Sequence, residues 1–182
     1  CLHRADIDDA AARVARILDR EDADVLVGYD DHGNYGHPDH IAVHRIARRA
    51  VELAARRPRL LEATTNRDAQ LAMLDSPEAA EFLRTLAAGG TELDPDQLRA
   101  MILTGDDGQP VGMPESEIAW AIDLPQDVIE TKRRAMQCHA SQTSDIGTML
   151  ALPPEIYAVA FGTEYLIEPG AEQPMRRAWP FD

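Results

Sequence analysis

Tyr29-Asp30-Asp31-His32-Gly33-Asn34-Tyr35-Gly36-His37-Pro38-Asp39-His40 is the stretch on which the fold turns. It gathers three histidines, three aspartates and two tyrosines into one loop punctuated by glycine. Val25-Leu26-Val27-Gly28 precedes it, a short apolar run of the kind a buried parallel strand shows. Residues 41–57 follow and read as a helix. Open α/β sheets carry their chemistry in such loops, between the carboxyl end of a strand and the amino end of the next helix. Gly33 and Gly36 let the loop fold back tightly. Pro38 suits the first helical position, where its missing N–H costs nothing. That puts His40 in the first turn and His37 just outside it as the cap, with both imidazoles facing the carboxyl end of the strand. Such an arrangement suits a metal site or acid/base chemistry.

Outward from the loop, residues 6–20 form an amphipathic helix with Ile7, Ala10, Ala11, Val14, Ile17 and Leu18 on one face. Asp6, Asp8 and Asp9 favour its amino end. In the helix after the loop, Val43, Ile46, Ala47, Ala50 and Ala54 make the buried stripe. Arg45, Arg48, Arg49 and Arg56 make a solvated face, and Pro58 is the stop. Residues 60–64 read as a strand. The stretch 66–103 holds short helices, one capped by Ser76 ahead of Pro77 and one opened by Asp94-Pro95, with Gly89-Gly90 breaking the pattern. It reads as a helical insertion or lid. Residues 104–108 form a turn and 118–123 a strand. Pro125 starts a helix that runs through Val128, Ile129 and Met136 to His139. A loop at 141–144, a short helix from Pro153-Pro154 and a last strand at 165–168 complete the order, and the tail from Ala171 is expected to be poorly ordered. The whole reads as one three-layer α/β domain, its sheet mostly parallel and flanked by helices.

A net charge of −14 disfavours nucleic acid or an anionic membrane as a partner and leaves a neutral small molecule open. With 45% hydrophobic residues in 182, the chain can bury a core. Two cysteines, Cys1 and Cys138, make no disulfide framework, so a reducing cytoplasm is the default compartment. No apolar run approaches the length of a membrane span. No Gly-x-Gly-x-x-Gly or P-loop sequence supports a nucleotide-binding reading.

Each candidate side chain has two readings. His40 is a metal ligand or a histidine near a helix start. His37 is a catalytic imidazole or a loop histidine bonded to Asp39, and Tyr35 packs or donates to a developing oxyanion. His44 forms a His-x3-His pair with His40, but no Glu follows His40, so it reads as an ordinary surface or core histidine. His32 and His3 read the same way. Lys132 is a solvated helix residue or an ion-pair partner.

Two segments carry a resemblance to a known family. Tyr35-Gly36-His37-Pro38-Asp39-His40, behind Tyr29-Asp30, resembles the second signature of the LmbE/PIG-L deacetylases, zinc-dependent hydrolases of N-acylated sugars that include mycothiol-pathway enzymes. Lys132-Arg133-Arg134-Ala135-Met136-Gln137-Cys138-His139-Ala140-Ser141-Gln142 is similar to that family's late segment, with Phe161-Gly162-Thr163-Glu164-Tyr165 behind it in the expected order. The resemblance implies a Rossmann-like α/β fold and zinc as cofactor. It makes His40 a ligand, His37 the group that steadies the tetrahedral intermediate, Asp39 the carboxylate that orients the His37 ring, and Tyr35 an oxyanion donor. It gives His139 and Gln142 to the substrate side, where structural support is an equal reading for His139. The substrate class is a small N-acyl amino sugar of N-acetylglucosaminyl or mycothiol type, and a homo-oligomer is compatible.

The family opens with a strand ending in His-Pro-Asp-Asp, which supplies the remaining ligands and the general base. No such segment lies in this chain, whose one His-Pro-Asp is at 37–39. The chain therefore reads as the carboxyl-terminal part of a longer protein, supplying part of a site and inactive alone. An open sheet edge and a tendency to associate follow. The competing reading is a non-catalytic α/β domain that keeps the loop as a relic or a binding surface.

Overall fold

The computed structural model describes residues 1–88, 94–141, 145–172 and 174–181. A 3-10 turn at Leu2–Arg4 leads into α1 (Ile7–Arg20), whose cap is the Asp6 carboxylate accepting the Asp9 N–H at 2.9 Å. Ala11, Ala15 and Leu18 are its buried positions. Ile17, expected on that face, is 49% exposed, because one step along a helix from the buried Leu18 turns the side chain toward water.

β1 (Val25–Tyr29) comes next, then the short helical turn α2 (Gly33–Gly36) and α3 (Pro38–Leu53). α3 stops before the expected Arg57. Ala54 turns extended, and the Ala55 N–H is taken by the Asp19 carboxylate at 2.8 Å instead of a helix carbonyl. β2 (Arg59–Thr64) precedes three helices, α4 (Arg67–Leu74), α5 (Pro77–Ala88) and α6 (Pro95–Leu103), which share a small core of Leu74, Leu83 and Leu98. Ser76 and Asp94 cap α5 and α6 as expected. Gly89-Gly90 lies outside the described residues. β3 (Trp120–Asp123), α7 (Gln126–Gln137), α8 (Asp145–Leu150), α9 (Pro154–Phe161), β4 (Thr163–Ile167) and β5 (Arg176–Arg177) complete the order.

The five strands form one sheet in the order β1-β2-β4-β3-β5. β1 pairs with β2 in parallel, and β3 with β5; β4 is antiparallel to both its neighbours and alone runs against the other four. The fold is α/β with a mostly parallel sheet. α1 and α3 cover one face, where Ala11, Leu18, Ile46 and Ala50 pack with Leu26 of β1. Gly28 permits this closeness, since a Cβ there would stand 3.0 Å from that of Ala47. A second core joins Leu61, Ala119, Trp120 and Leu166 across the middle strands.

The tail departs from expectation. β5 pairs with β3, the Arg176 guanidinium lies 3.8 Å from the Trp120 ring centroid, and the Pro180 carbonyl accepts from Arg59. A cation over an indole, combined with strand pairing, holds a segment whose composition reads as loose. At the opposite edge β1 has β2 as its one partner among the described strands. Val27 is 52% exposed there, and with Val14, Leu26, Val43 and Ile46 it lines a groove of about 600 Å³.

Candidate active site

The loop after β1 is built around a buried carboxylate. Asp30 has no exposed surface. Its Oδ1 accepts the Asn34 N–H at 2.7 Å and its Oδ2 the Thr64 hydroxyl at 2.5 Å, while its carbonyl accepts the Gly33 N–H at 3.0 Å. The chain then reverses through Gly33 (φ +65°) and Asn34 (φ 67°). A Cβ on Gly33 would approach the His40 Cβ and the Ile41 nitrogen at 2.8 Å, so glycine is required there for space as well as for φ.

The segment 104–113 grips the loop from outside. The Asp106 N–H donates to the Tyr35 carbonyl at 2.8 Å and the Gly112 N–H to the Asn34 carbonyl at 2.6 Å. His32 Nε2–H donates to Asp107 Oδ2 at 2.9 Å. The Asp107 carboxyl is held below the usual carboxylate range, first by the Gln109 N–H and then by His32. In the sequence His32 reads as an ordinary histidine and residue 107 as part of a turn. No local signal could join two positions 75 residues apart.

His37 caps α3 as expected, its Nδ1 accepting the Asp39 N–H at 3.2 Å. That use of Nδ1 puts the ring proton of the neutral imidazole on Nε2. His40 shows the opposite tautomer. Its Nδ1 lies 3.2 Å from the Gly33 carbonyl, which can only accept, so Nδ1 carries the proton and Nε2 keeps its lone pair. Tyr29 stacks flat on the His40 ring at 4.1 Å, Tyr35 meets it edge-on at 4.9 Å, and the His37 ring stands 5.1 Å away. The structure thus brings Tyr35, His37 and His40 together at the carboxyl end of β1.

Asp39 is close by, but its carboxylate is engaged elsewhere. Oδ1 accepts both the N–H of His3 at 2.8 Å and its Nδ1–H at 2.9 Å. The His3 backbone bond, followed by the His3 ring, holds the Asp39 carboxyl below its ordinary range. It is the Asp39 main chain that touches the His37 ring. Among the described residues, Cys1, His3 and Asp39 bring ligand atoms within 4.8 Å of one another.

His44 lies one turn deeper and is committed to structure. Its Nδ1–H is shared between the Tyr29 carbonyl at 3.0 Å and Glu62 at 3.2 Å. Glu62 is 3% exposed and also takes two bonds from Arg48, at 2.8 and 3.2 Å. Arg48 keeps to the solvated face expected of it, but its guanidinium reaches down to the buried Glu62 carboxylate of β2. Burial pushes the Glu62 carboxyl up, but the hydrogen bonds from His44 and Arg48 outweigh it and the balance is a lowered pKa. The bond to Glu62 raises that of His44.

The late segment is arranged differently. α7 ends at Gln137 with Cys138 as its cap, so His139 lies beyond the helix and is exposed. Lys132 is an ion-pair partner, its Nζ 2.6 Å from Glu164 and 3.2 Å from the Phe161 carbonyl. Gln142 lies outside the described residues.

Comparison with known proteins gives the same direction. The chain is 33% identical over 167 residues to a protein of Thermomonospora curvata named 1D-myo-inositol 2-acetamido-2-deoxy-alpha-D-glucopyranoside deacetylase, a match covering 91% of this chain and 54% of that one. Proteins of the same name from Thermobifida fusca and Streptomyces avermitilis are 34% and 37% identical, over 90% and 88% of this chain and 56% and 54% of theirs. The chain belongs to the LmbE/PIG-L family. No protein-family model matches it. It spans about half the length of the curated LmbE/PIG-L relatives it matches. No described helix is long and apolar enough to cross a membrane.

Proposed function

We propose that this chain is part of a zinc-dependent deacetylase acting on a small N-acetylglucosaminyl substrate, such as an N-acetylglucosaminyl-inositol. The observation that carries the reading is the His40 tautomer: an imidazole whose Nδ1–H is spent on a backbone carbonyl offers Nε2 as a ligand, the usual arrangement at metal centres. The names of the relatives support the substrate class. His40 fits one position of a metal site, and the rest of the ligand set must come from elsewhere. Zinc in such a site polarises an acyl oxygen and lowers the pKa of bound water to about 7.

The chain's own residues have separable tasks. His37 presents Nε2–H, a donor suited to a developing oxyanion, because its Nδ1 is held by the Asp39 N–H. Tyr35 stands 6.0 Å from it, ring to ring, as a second donor in the same loop. Gln142 and His139 serve the substrate side.

The test is complementation. Residues 1–182 alone should bind zinc weakly, show no amidase activity and tend to associate through the β1 edge. Co-expression with the segment of the Thermobifida fusca deacetylase outside the matched region should restore zinc binding and turnover together. Zinc-dependent hydrolysis by the isolated chain would overturn the claim that the site is shared. Complementation without turnover would favour a non-catalytic domain.

A further inference from the structure

We infer that Asp30 is the positioning residue of the motif loop, setting the orientation and tautomer of His40 through the Gly33 carbonyl. The functional weight of this inference rests on His40 being a metal ligand; its geometry does not.

Asp30 is fully buried, yet both of its carboxylate oxygens accept hydrogen bonds from groups that matter to the loop. Oδ1 holds the N–H of Asn34, a residue at positive φ, and the Asp30 carbonyl holds the N–H of Gly33, the positive-φ residue before it. Oδ2 is tied to the Thr64 hydroxyl on β2, so the loop is referenced to the sheet and not only to itself. Two consecutive left-handed residues turn the Gly33 carbonyl toward α3, where it meets His40 Nδ1 at 3.2 Å. Remove the carboxylate, and the Asn34 N–H and Thr64 hydroxyl lose the acceptor that defines the turn. The Gly33 carbonyl is then no longer fixed, and the His40 proton can sit on either nitrogen. Outer partners of this sort typically change metal affinity by about 10–100-fold.

Asp30→Asn is the conservative control. Its amide oxygen can still accept from Asn34 N–H, and its NH₂ can donate to the Thr64 hydroxyl. The experiment uses the ¹⁵N-labelled full chain and reads the His40 ring nitrogens by long-range proton–nitrogen spectra, alongside zinc competition titrations of the complemented protein. Wild type and Asp30→Asn should show the Nδ1–H form of His40. Asp30→Ala should show a mixture, with zinc affinity at His40 reduced at least about tenfold. Should Asp30→Ala not fold, Thr64→Val should move both readouts in the same direction by less, while Thr64→Ser keeps them. A folded Asp30→Ala or Thr64→Val protein with an unchanged His40 tautomer would overturn the inference, as would Thr64→Ser behaving like Thr64→Val. If the complemented wild type gives no zinc response that His40→Ala removes, the metal reading fails by itself. The tautomer spectra still decide the role of Asp30.

Discussion

The two segments that resemble family signatures are held in opposite ways. Residues 29–40 sit on a scaffold that holds the loop from several sides: Asp30 beneath, Thr64 from β2, the 104–113 segment outside, and the Glu62 cluster under Tyr29. Residues 132–141 ride on the end of one helix, anchored through Lys132, Arg133 and Met136, with His139 exposed. A group that must hold a ligand within a fraction of an ångström needs a rigid surround, whereas a group that meets substrate at the rim does not. The contrast predicts that substitutions in the first segment act on metal and chemistry, and those in the second act weakly or on binding.

The largest effect expected is His40→Ala in the complemented enzyme, with loss of bound zinc and deacetylation. His37→Ala should keep its zinc and lose about 10²–10³-fold in kcat. His139→Ala should raise KM with kcat nearly unchanged, as lost ground-state binding does. Metal analysis and steady-state kinetics of the three variants check this, and equal zinc loss from His37→Ala and His40→Ala would erase the division of roles.

Stability should separate the segments next. Glu62→Ala removes the buried anion that accepts from His44 and the half-exposed Arg48, and should cost about 1.5–3 kcal/mol in urea unfolding. Lys132→Met breaks a partly exposed pair and should cost about 1 kcal/mol or less. Comparable losses would show that the late segment is as firmly built as the loop.

The smallest effect is on pH. His44 has a raised pKa in the folded chain, so its contribution is complete below its unfolded value of 6.5 and is lost as pH rises through the folded value. Glu62 has a lowered one, so its contribution is complete above 4.5 and is lost as pH falls through the folded value. Between 4.5 and 6.5 both are present. Stability should therefore decline as pH is raised above this window, and His44→Gln should flatten the decline. An unaltered slope in His44→Gln would remove His44 from the account.

Local chemistry made much of this protein legible in its sequence. Proline at a helix start, glycines at positive φ, aspartate and serine caps and the apolar run before the loop each act within a few residues, and they determined β1, α1, the start of α3 and the meeting of His37 with His40. Contacts between distant parts of the chain were decided only in the tertiary structure. Arg48 stays on its solvated face yet finds its partner in Glu62 of β2, His32 reads as idle until Asp107 closes over it, and the tail as loose until Trp120 offers a face to Arg176. The Asp39 carboxylate likewise goes to His3, 36 residues away. Helix caps and turns are set by bonds whose partners are covalent neighbours. The partner of a buried charge is chosen by which strand comes to lie beside it, and no short stretch of sequence contains that information.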